Sequence, residues 1–163
     1  QAAERAEMWT TVARVLSPEG ARAKKLESEI SAVNEIVARL AADASWPAPK
    51  LNAEMELFLG DRRPEVVWSG SERWRANVLL QLVLAAAAGD EVAIIDGADI
   101  LDASGRNGLF SMLAKVRVKV LVAMTLNKPA ACPDLDGAGL GKSFWIDEGF
   151  VSSLSEATKP AAK

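Results

Sequence analysis

Two short stretches hold the residues whose types and spacing could do chemistry: Ser69-Gly70-Ser71-Glu72, and Asp96 at the end of Val92-Ala93-Ile94-Ile95. Small residues opening a helix leave backbone N–H groups and a hydroxyl accessible, and the helix dipole there favours an anion such as a phosphate. The same residues also spell an N-cap, with Ser69 or Ser71 capping and Glu72 in the first turn, the Ser-x-x-Glu pattern of a capping box. A carboxylate after four apolar residues stands at the carboxyl edge of a buried parallel strand. Open α/β folds bind ligands at that edge, and Asp96 could hold Mg²⁺ there through a water. It equally marks an ordinary strand end.

Composition removes many other chemistries. The chain of 163 residues contains no histidine, which excludes His-based acid/base catalysis, Ser-His-Asp triads and the commonest zinc ligand. A single cysteine, Cys132, excludes an intrachain disulfide framework, fits a reducing compartment such as the cytoplasm, and reads as a bystander. The net charge of -3 gives no global attraction to nucleic acid, so any DNA contact has to come from local patches such as Arg62-Arg63, Arg73, Arg75 or Lys24-Lys25. Charged turns and solvated helix faces explain those residues equally well. No apolar run reaches the roughly 18 residues of a membrane span, and no signal-peptide pattern opens the chain. With half of its residues hydrophobic, the chain can bury one real core.

The elements that must position these residues follow from periodicity. Ala3, Ala6, Trp9, Val12, Ala13 and Leu16 have helical spacing over residues 1–16. Ser17 is placed to cap a second helix with Pro18 in its first turn, and Leu26, Ile30, Val33, Ile36, Val37 and Leu40 form that helix's apolar stripe. From Leu51 to Leu59 apolar and polar residues alternate, which predicts one half-buried strand, and Glu65 to Trp68 predicts its hairpin partner. Residues 72–88 read as a largely buried helix stopped by Gly89-Asp90. Val92 to Ile95 reads as a central parallel strand covered on both faces. A helix from about Ser104 to Lys115 and a β-branched run from Val116 to Met124 complete a βαβ unit. Ser143 to Ile146 and Phe150-Val151 predict two last strands, and the stretch from Ser155 to Lys163 a disordered tail. Trp46, Trp68, Trp74 and Trp145 sit in apolar periodicity and are expected as core or interface anchors.

The Ser-Gly-Ser-Glu-Arg loop, a helix, a hydrophobic strand ending in Asp96 and then Asp99-Ile100-Leu101-Asp102 opening another helix resemble, in this order, part of an ABC-type ATPase head. They resemble the C-terminal lobe of such a head in the SMC, RecF and RecN group of DNA-repair ATPases, and phage-encoded SMC-like relatives with a Ser-Glu-Arg-Trp-Arg signature are closer still. The resemblance covers about residues 17–151. It implies an α/β fold of partial P-loop type, with a mainly parallel sheet core, flanking helices and an N-terminal helical segment. The implied division is 1–16 as an N-terminal helix (a coiled-coil end or linker), 17–154 as the head lobe and 155–163 as the tail. The implied ligands are ATP and Mg²⁺. Ser69, Gly70, Ser71 and Glu72 take the place of the signature loop that contacts the γ-phosphate held by an opposite head. Asp96 falls at the Walker B position beside Mg²⁺, and Asp102 at the D-loop aspartate. Met124-Thr125 leads to the switch position.

The chain departs from that pattern at four places. Ser71 replaces the second signature glycine, the Asp96-to-Asp102 spacing is one residue shorter than in SMC proteins, Leu126 stands at the switch position, and Gly97 stands where the catalytic Glu would follow Asp96. A general base contributes about 10² to 10⁴ in rate, and only Asp99 lies near enough to substitute, so the resemblance implies nucleotide binding more than hydrolysis. Gly137-Ala138-Gly139-Leu140-Gly141-Lys142-Ser143 imitates a P-loop, but Asp136 occupies the first required glycine position and a strand is expected after it instead of a helix. A true Walker A would then belong to an N-terminal lobe upstream of Gln1, and the chain alone should bind ATP poorly. Two function classes follow. One is a lobe of an SMC-like ATP-binding protein that pairs with its N-terminal lobe and a second head in DNA repair or DNA organisation. The other is a non-enzymatic ABC-like scaffold for dimerisation or protein interaction.

Overall fold

The computed structural model describes residues 2–17, 20–60 and 63–158. Helix α1 (Ala2–Leu16) is followed by α2 (Ala21–Asp43), strands β1 (Pro49–Leu51), β2 (Leu57–Leu59) and β3 (Arg63–Pro64), and a 3₁₀ turn at Glu65–Val67. Then come α3 (Gly70–Ala88), β4 (Val92–Ile95), a 3₁₀ turn at Ala98–Ile100, α4 (Ala103–Leu113) and β5 (Lys119–Val122). A 3₁₀ turn at Pro129–Ala131 leads to β6 (Phe144–Asp147), β7 (Phe150–Ser153) and α5 (Leu154–Ala157).

The core is built by α2, α3, α4 and one face of β4. Leu79 of α3 and Leu109 and Met112 of α4 are completely buried, with Val37, Leu82, Ile95 and Leu101 beside them. Helix α3 forms because its apolar residues recur at helical spacing from Ala76 to Ala85, and it ends where Gly89 takes a left-handed conformation, φ 75°, that a Cβ would disfavour. The α4 helix meets the end of α2 at Gly108. A Cβ there would lie 2.2 Å from the Ala44 carbonyl oxygen, a backbone atom that cannot swing away. Gly108→Ala is therefore expected to destabilise the fold by about 2 kcal/mol, an overpacking cost larger than the gain in helix propensity of about 1 kcal/mol. Urea denaturation of the two proteins checks this, and equal midpoints would show that the helices are not in such close contact.

Several expectations from the sequence are corrected. Leu51 to Leu59 is not one strand but the two strands β1 and β2, antiparallel with Pro49 opposite Leu59. The alternation runs through a turn: Met55 has φ 63°, and the Asn52 side chain accepts from the Glu56 N–H at 2.8 Å. The expected partner strand at Glu65–Trp68 is the 3₁₀ turn, and β3 pairs with β2 just before it. Ser17 does not cap α2. Its hydroxyl donates back to the Arg14 carbonyl, and Gly20 stands at the α2 N-cap. Pro18, Glu19, Asp61 and Arg62 lie outside the described residues, as do 159–163. Of the expected tail, residues 155–157 belong to α5, held by a capping box between Ser153 and Glu156.

The sheet also differs from a mainly parallel core. Three separate small sheets are present among the described residues: the antiparallel β1-β2-β3, the parallel β4-β5 and the antiparallel β6-β7. The β4–α4–β5 crossover gives the parallel pair, with Val92 opposite Lys119 and Ile95 opposite Val122. The hairpins β1–β2 and β6–β7 instead join chain neighbours through short turns, which produces antiparallel pairing. Nor is β4 covered on both faces. Ala93 and Ile95 are buried, whereas Val92 and Ile94 are 54% and 61% exposed.

Candidate functional site

The Ser69 loop forms a capping box. The Glu72 N–H donates to Ser69 Oγ at 3.3 Å, and the Ser69 N–H donates to Glu72 Oε2 at 2.8 Å. Ser71 Oγ lies 3.3 Å from Ser69 Oγ. With the Glu72 amide taken by the cap and the Arg73 amide donating to the Ser69 carbonyl, the Gly70 and Ser71 amides remain as first-turn donors that an anion could take. A Cβ on Gly70 would make only an ordinary contact, 3.4 Å, with Ile100 Cδ1.

Asp96 is exposed at the carboxyl end of β4, and its Oδ1 accepts from the Gly97 N–H at 2.8 Å. Gly97 has φ 72°, so the chain turns sharply out of the strand in a conformation that glycine supplies without strain. Trp74 then joins the two stretches. From the second turn of α3 its indole Nε1–H donates to the Asp96 carbonyl at 2.8 Å. The helix that carries the Ser69 loop is thus fastened to the end of the strand that carries Asp96. Trp74 was expected only as an anchor, and its N–H role was not legible beforehand; the one available signal was that an indole buried at one end needs an acceptor.

Asp99 is exposed, and its Oδ1 accepts from the Thr125 N–H at 3.2 Å. It braces the loop after β4 against the loop after β5. Asp102 is the N-cap of α4, with Oδ1 accepting from the Gly105 N–H at 2.7 Å. Asp102→Ala should therefore cost about 1 kcal/mol of stability, while Asp102→Asn, an equally good cap, should cost far less. Thermal unfolding of both variants separates capping from any role that needs the negative charge. One end of the molecule thus holds the Ser69 loop, Asp96, Asp99 and the start of α4. Among the described residues no group of three or more Cys, Asp or Glu side chains could hold a metal by itself. Asp96 alone fits Mg²⁺ only in the way this ion commonly binds, through one carboxylate with water and substrate phosphates as the other ligands.

No family model matches the chain, and no curated protein matches it. Among solved structures, the SMC head domain from Thermotoga maritima is similar to it, with 16% sequence identity and a TM-score of 0.48 over 80% of this chain and 50% of that one. The chain spans about half the length of that structure.

The remaining candidates fall elsewhere. In the P-loop imitation, Asp134 makes a turn by accepting the Gly137 N–H at 2.9 Å, and strand β6 follows, so no helix N-terminus faces the glycines. Lys24 and Lys25 are exposed on α2, and Arg73 reaches the Val66 carbonyl at 3.3 Å. Arg75 is not on a solvated helix face: it is half-buried, its guanidinium carbon 5.7 Å from the centre of the Trp46 ring. The anchors Trp46 and Trp68 are buried, and Trp74 and Trp145 half-buried. Burial raises the Cys132 thiol above its ordinary pKa, against a smaller lowering by its hydrogen bond with Ser143. No helix among the described residues is long and apolar enough to cross a membrane.

Proposed function

We propose that this chain is the C-terminal lobe of an SMC-like ATP-binding head, supplying one half of a composite nucleotide site. The supporting observation is the Trp74–Asp96 hydrogen bond, which joins the helix that carries the Ser69 loop to the end of the strand that carries the Walker B-like Asp96. In this reading the Gly70 and Ser71 amides meet the γ-phosphate of ATP held by a second head. Asp96 holds Mg²⁺ through a water on its own side, and Asp102 faces the dimer interface. The bound ion would neutralise phosphate charge. This chain's own contribution is to bind and orient. Hydrolysis is weak, since Gly97 offers no carboxylate and Asp99 is turned to the Thr125 amide.

The open side of β4 supports a further lobe. The Lys119 N–H bonds the Glu91 carbonyl and the Ala123 N–H bonds the Ile95 carbonyl, so β5 is paired through the odd-numbered residues of β4. Alternation then turns the peptide groups of Val92 and Ile94 outward. Gln81 covers the Ile94 carbonyl at 2.7 Å. Beside this edge lies a groove of about 680 Å³ lined by Leu80, Leu84, Ala85, Val92 and Ile94. Parallel sheets are almost always covered on both faces, and an N-terminal lobe carrying the Walker A strand would cover this one. DNA and a cytoplasmic location belong to the same proposal.

The test is ATP binding by the chain joined to its upstream lobe, with and without Asp96→Ala, by calorimetry in Mg²⁺. Loss of the Mg²⁺-dependent part of the affinity in the variant is expected. Unchanged Mg²⁺-dependent binding would overturn the assignment of Asp96. One observation favours the scaffold reading instead: the Ser69 hydroxyl and Glu72 satisfy each other in a capping box, which needs no nucleotide.

A further inference from the structure

A second polar cleft, of about 360 Å³, opens between the end of α2, the second turn of α3 and the first turns of α4. Its rim carries the exposed side chains of Ser45, Asp102, Ser104, Asn107 and Ser111, while Ala44, Trp46 and Gly105 line it more deeply. Two N–H donors of its lining residues have no acceptor among the described residues: the indole Nε1 of Trp46 and the Nε of Arg75, both buried. Trp46 is only 7% exposed. Its Nε1 lies at the Gly108 wall of the cleft, 3.1 Å from where a Gly108 Cβ would be.

Buried donors without acceptors are unfavourable, and a half-buried cation without a counter-ion more so. Arg75 stacks over Trp46, and among the described residues no carboxylate lies within 4.0 Å of it. A Cβ on Gly105 would be 2.9 Å from Asp102 Oδ1 and 3.4 Å from an Arg75 terminal nitrogen, so Gly105 leaves room for the Asp102 cap beside the guanidinium. Two carboxylates face the cleft. Asp43 is paired with Lys115 at 2.5 Å, and Asp102 uses Oδ1 to cap the Gly105 N–H. The balance of Arg75, Lys115, Asp43 and Asp102 is neutral, which suits a ligand of one negative charge better than a dianion. Such a ligand would accept from both orphaned N–H groups, with the rim hydroxyls and the Asn107 amide as further donors.

We propose that this cleft binds a small monoanionic oxyanion, a carboxylate or a phosphate, through the Trp46 indole N–H and the Arg75 guanidinium. The proposal does not rest on the nucleotide reading, although Asp102 belongs to both, because Trp46 and Arg75 line the cleft and neither has a role at the Ser69 loop. Occupation would tie Arg75 of α3 to the start of α4.

The test is titration of the chain with acetate and with inorganic phosphate, followed by the NMR signals of the indole N–H groups. Trp46→Phe identifies the Trp46 signal by removing it. A saturable shift of that signal is expected, with sodium chloride at equal ionic strength giving none. Arg75→Gln should weaken binding about tenfold or more, as loss of a charged hydrogen bond does. Arg75→Lys, which keeps the charge and the fold but not the planar donor fork, should weaken it less. Tighter binding of acetate identifies the ligand as a carboxylate, and of phosphate as a phosphate. No shift with either anion, an equal shift with chloride, or full affinity in folded Arg75→Gln or Arg75→Lys protein overturns the proposal.

Discussion

Ser69→Arg is expected to abolish ATP-dependent association of two heads while leaving the fold intact. Ser69 stands at the N-cap of α3, where the Gly70 and Ser71 amides have no acceptor among the described residues. An arginine there fills the space a phosphate would approach and puts a cation on the positive end of the helix dipole. It also removes the Ser69 half of the capping box, which costs about 1 kcal/mol and is too little to unfold a domain. Ser69→Ala is the matched control, since it loses the cap without blocking the approach. Light scattering of the full polypeptide with ATP and Mg²⁺ should show a dimer for wild type and Ser69→Ala and a monomer for Ser69→Arg. If Ser69→Arg dimerises as wild type does, the loop is a cap and nothing more, and the scaffold reading prevails.

The second large effect concerns one helix and two leucines. Leu79 and Leu84 lie on the same helix and are chemically identical, but Leu79 is fully buried and Leu84 is 66% exposed. Leu79→Ala removes its side chain from the centre of the α2–α3–α4 core and leaves a cavity, so unfolding free energy should fall by about 3 kcal/mol, within the range for buried leucines. Leu84→Ala should change the stability of the chain by less than about 0.5 kcal/mol. Leu84 nevertheless lines the groove beside the free edge of β4. If an N-terminal lobe covers that groove, Leu84→Ala weakens the joined protein although it leaves the separate chain unaffected. Denaturant unfolding of both variants, in the chain and in the joined protein, makes the comparison. Equal costs for Leu79→Ala and Leu84→Ala in the chain would contradict the burial described for α3.

The elements around the candidate site were legible to the extent that local periodicity is local physics. The α3 and α4 helices and the β4–α4–β5 crossover follow from apolar spacing and from stops such as Gly89. The α3 cap was readable too, because a Ser with a Glu three residues on satisfies backbone donors without help from the rest of the chain, whereas the cap expected at Ser17 does not form and the cap at Asp102 was not read. The alternation from Leu51 to Leu59 misled for the converse reason. Periodicity reports which side chains are apolar, and the turn there is made by Asn52 and by a positive φ at Met55, without the glycine or proline that usually marks one.

What covers an apolar face was not legible, since an apolar side chain states a preference for burial without naming a partner. Val92 and Ile94 read as interior residues and are exposed, while Arg75 read as a DNA contact or a solvated charge and lies against Trp46. The sequence by itself determined helices α1 to α4, the parallel pair and the residue types at Ser69 and Asp96, because these depend on contacts close along the chain. Only the tertiary structure decided that Trp74 fastens α3 to Asp96, that β4 keeps an open edge and that Trp46 and Arg75 share a cleft. Each of those joins groups far apart in sequence, and such a contact becomes fixed only when the core has set the helices against one another.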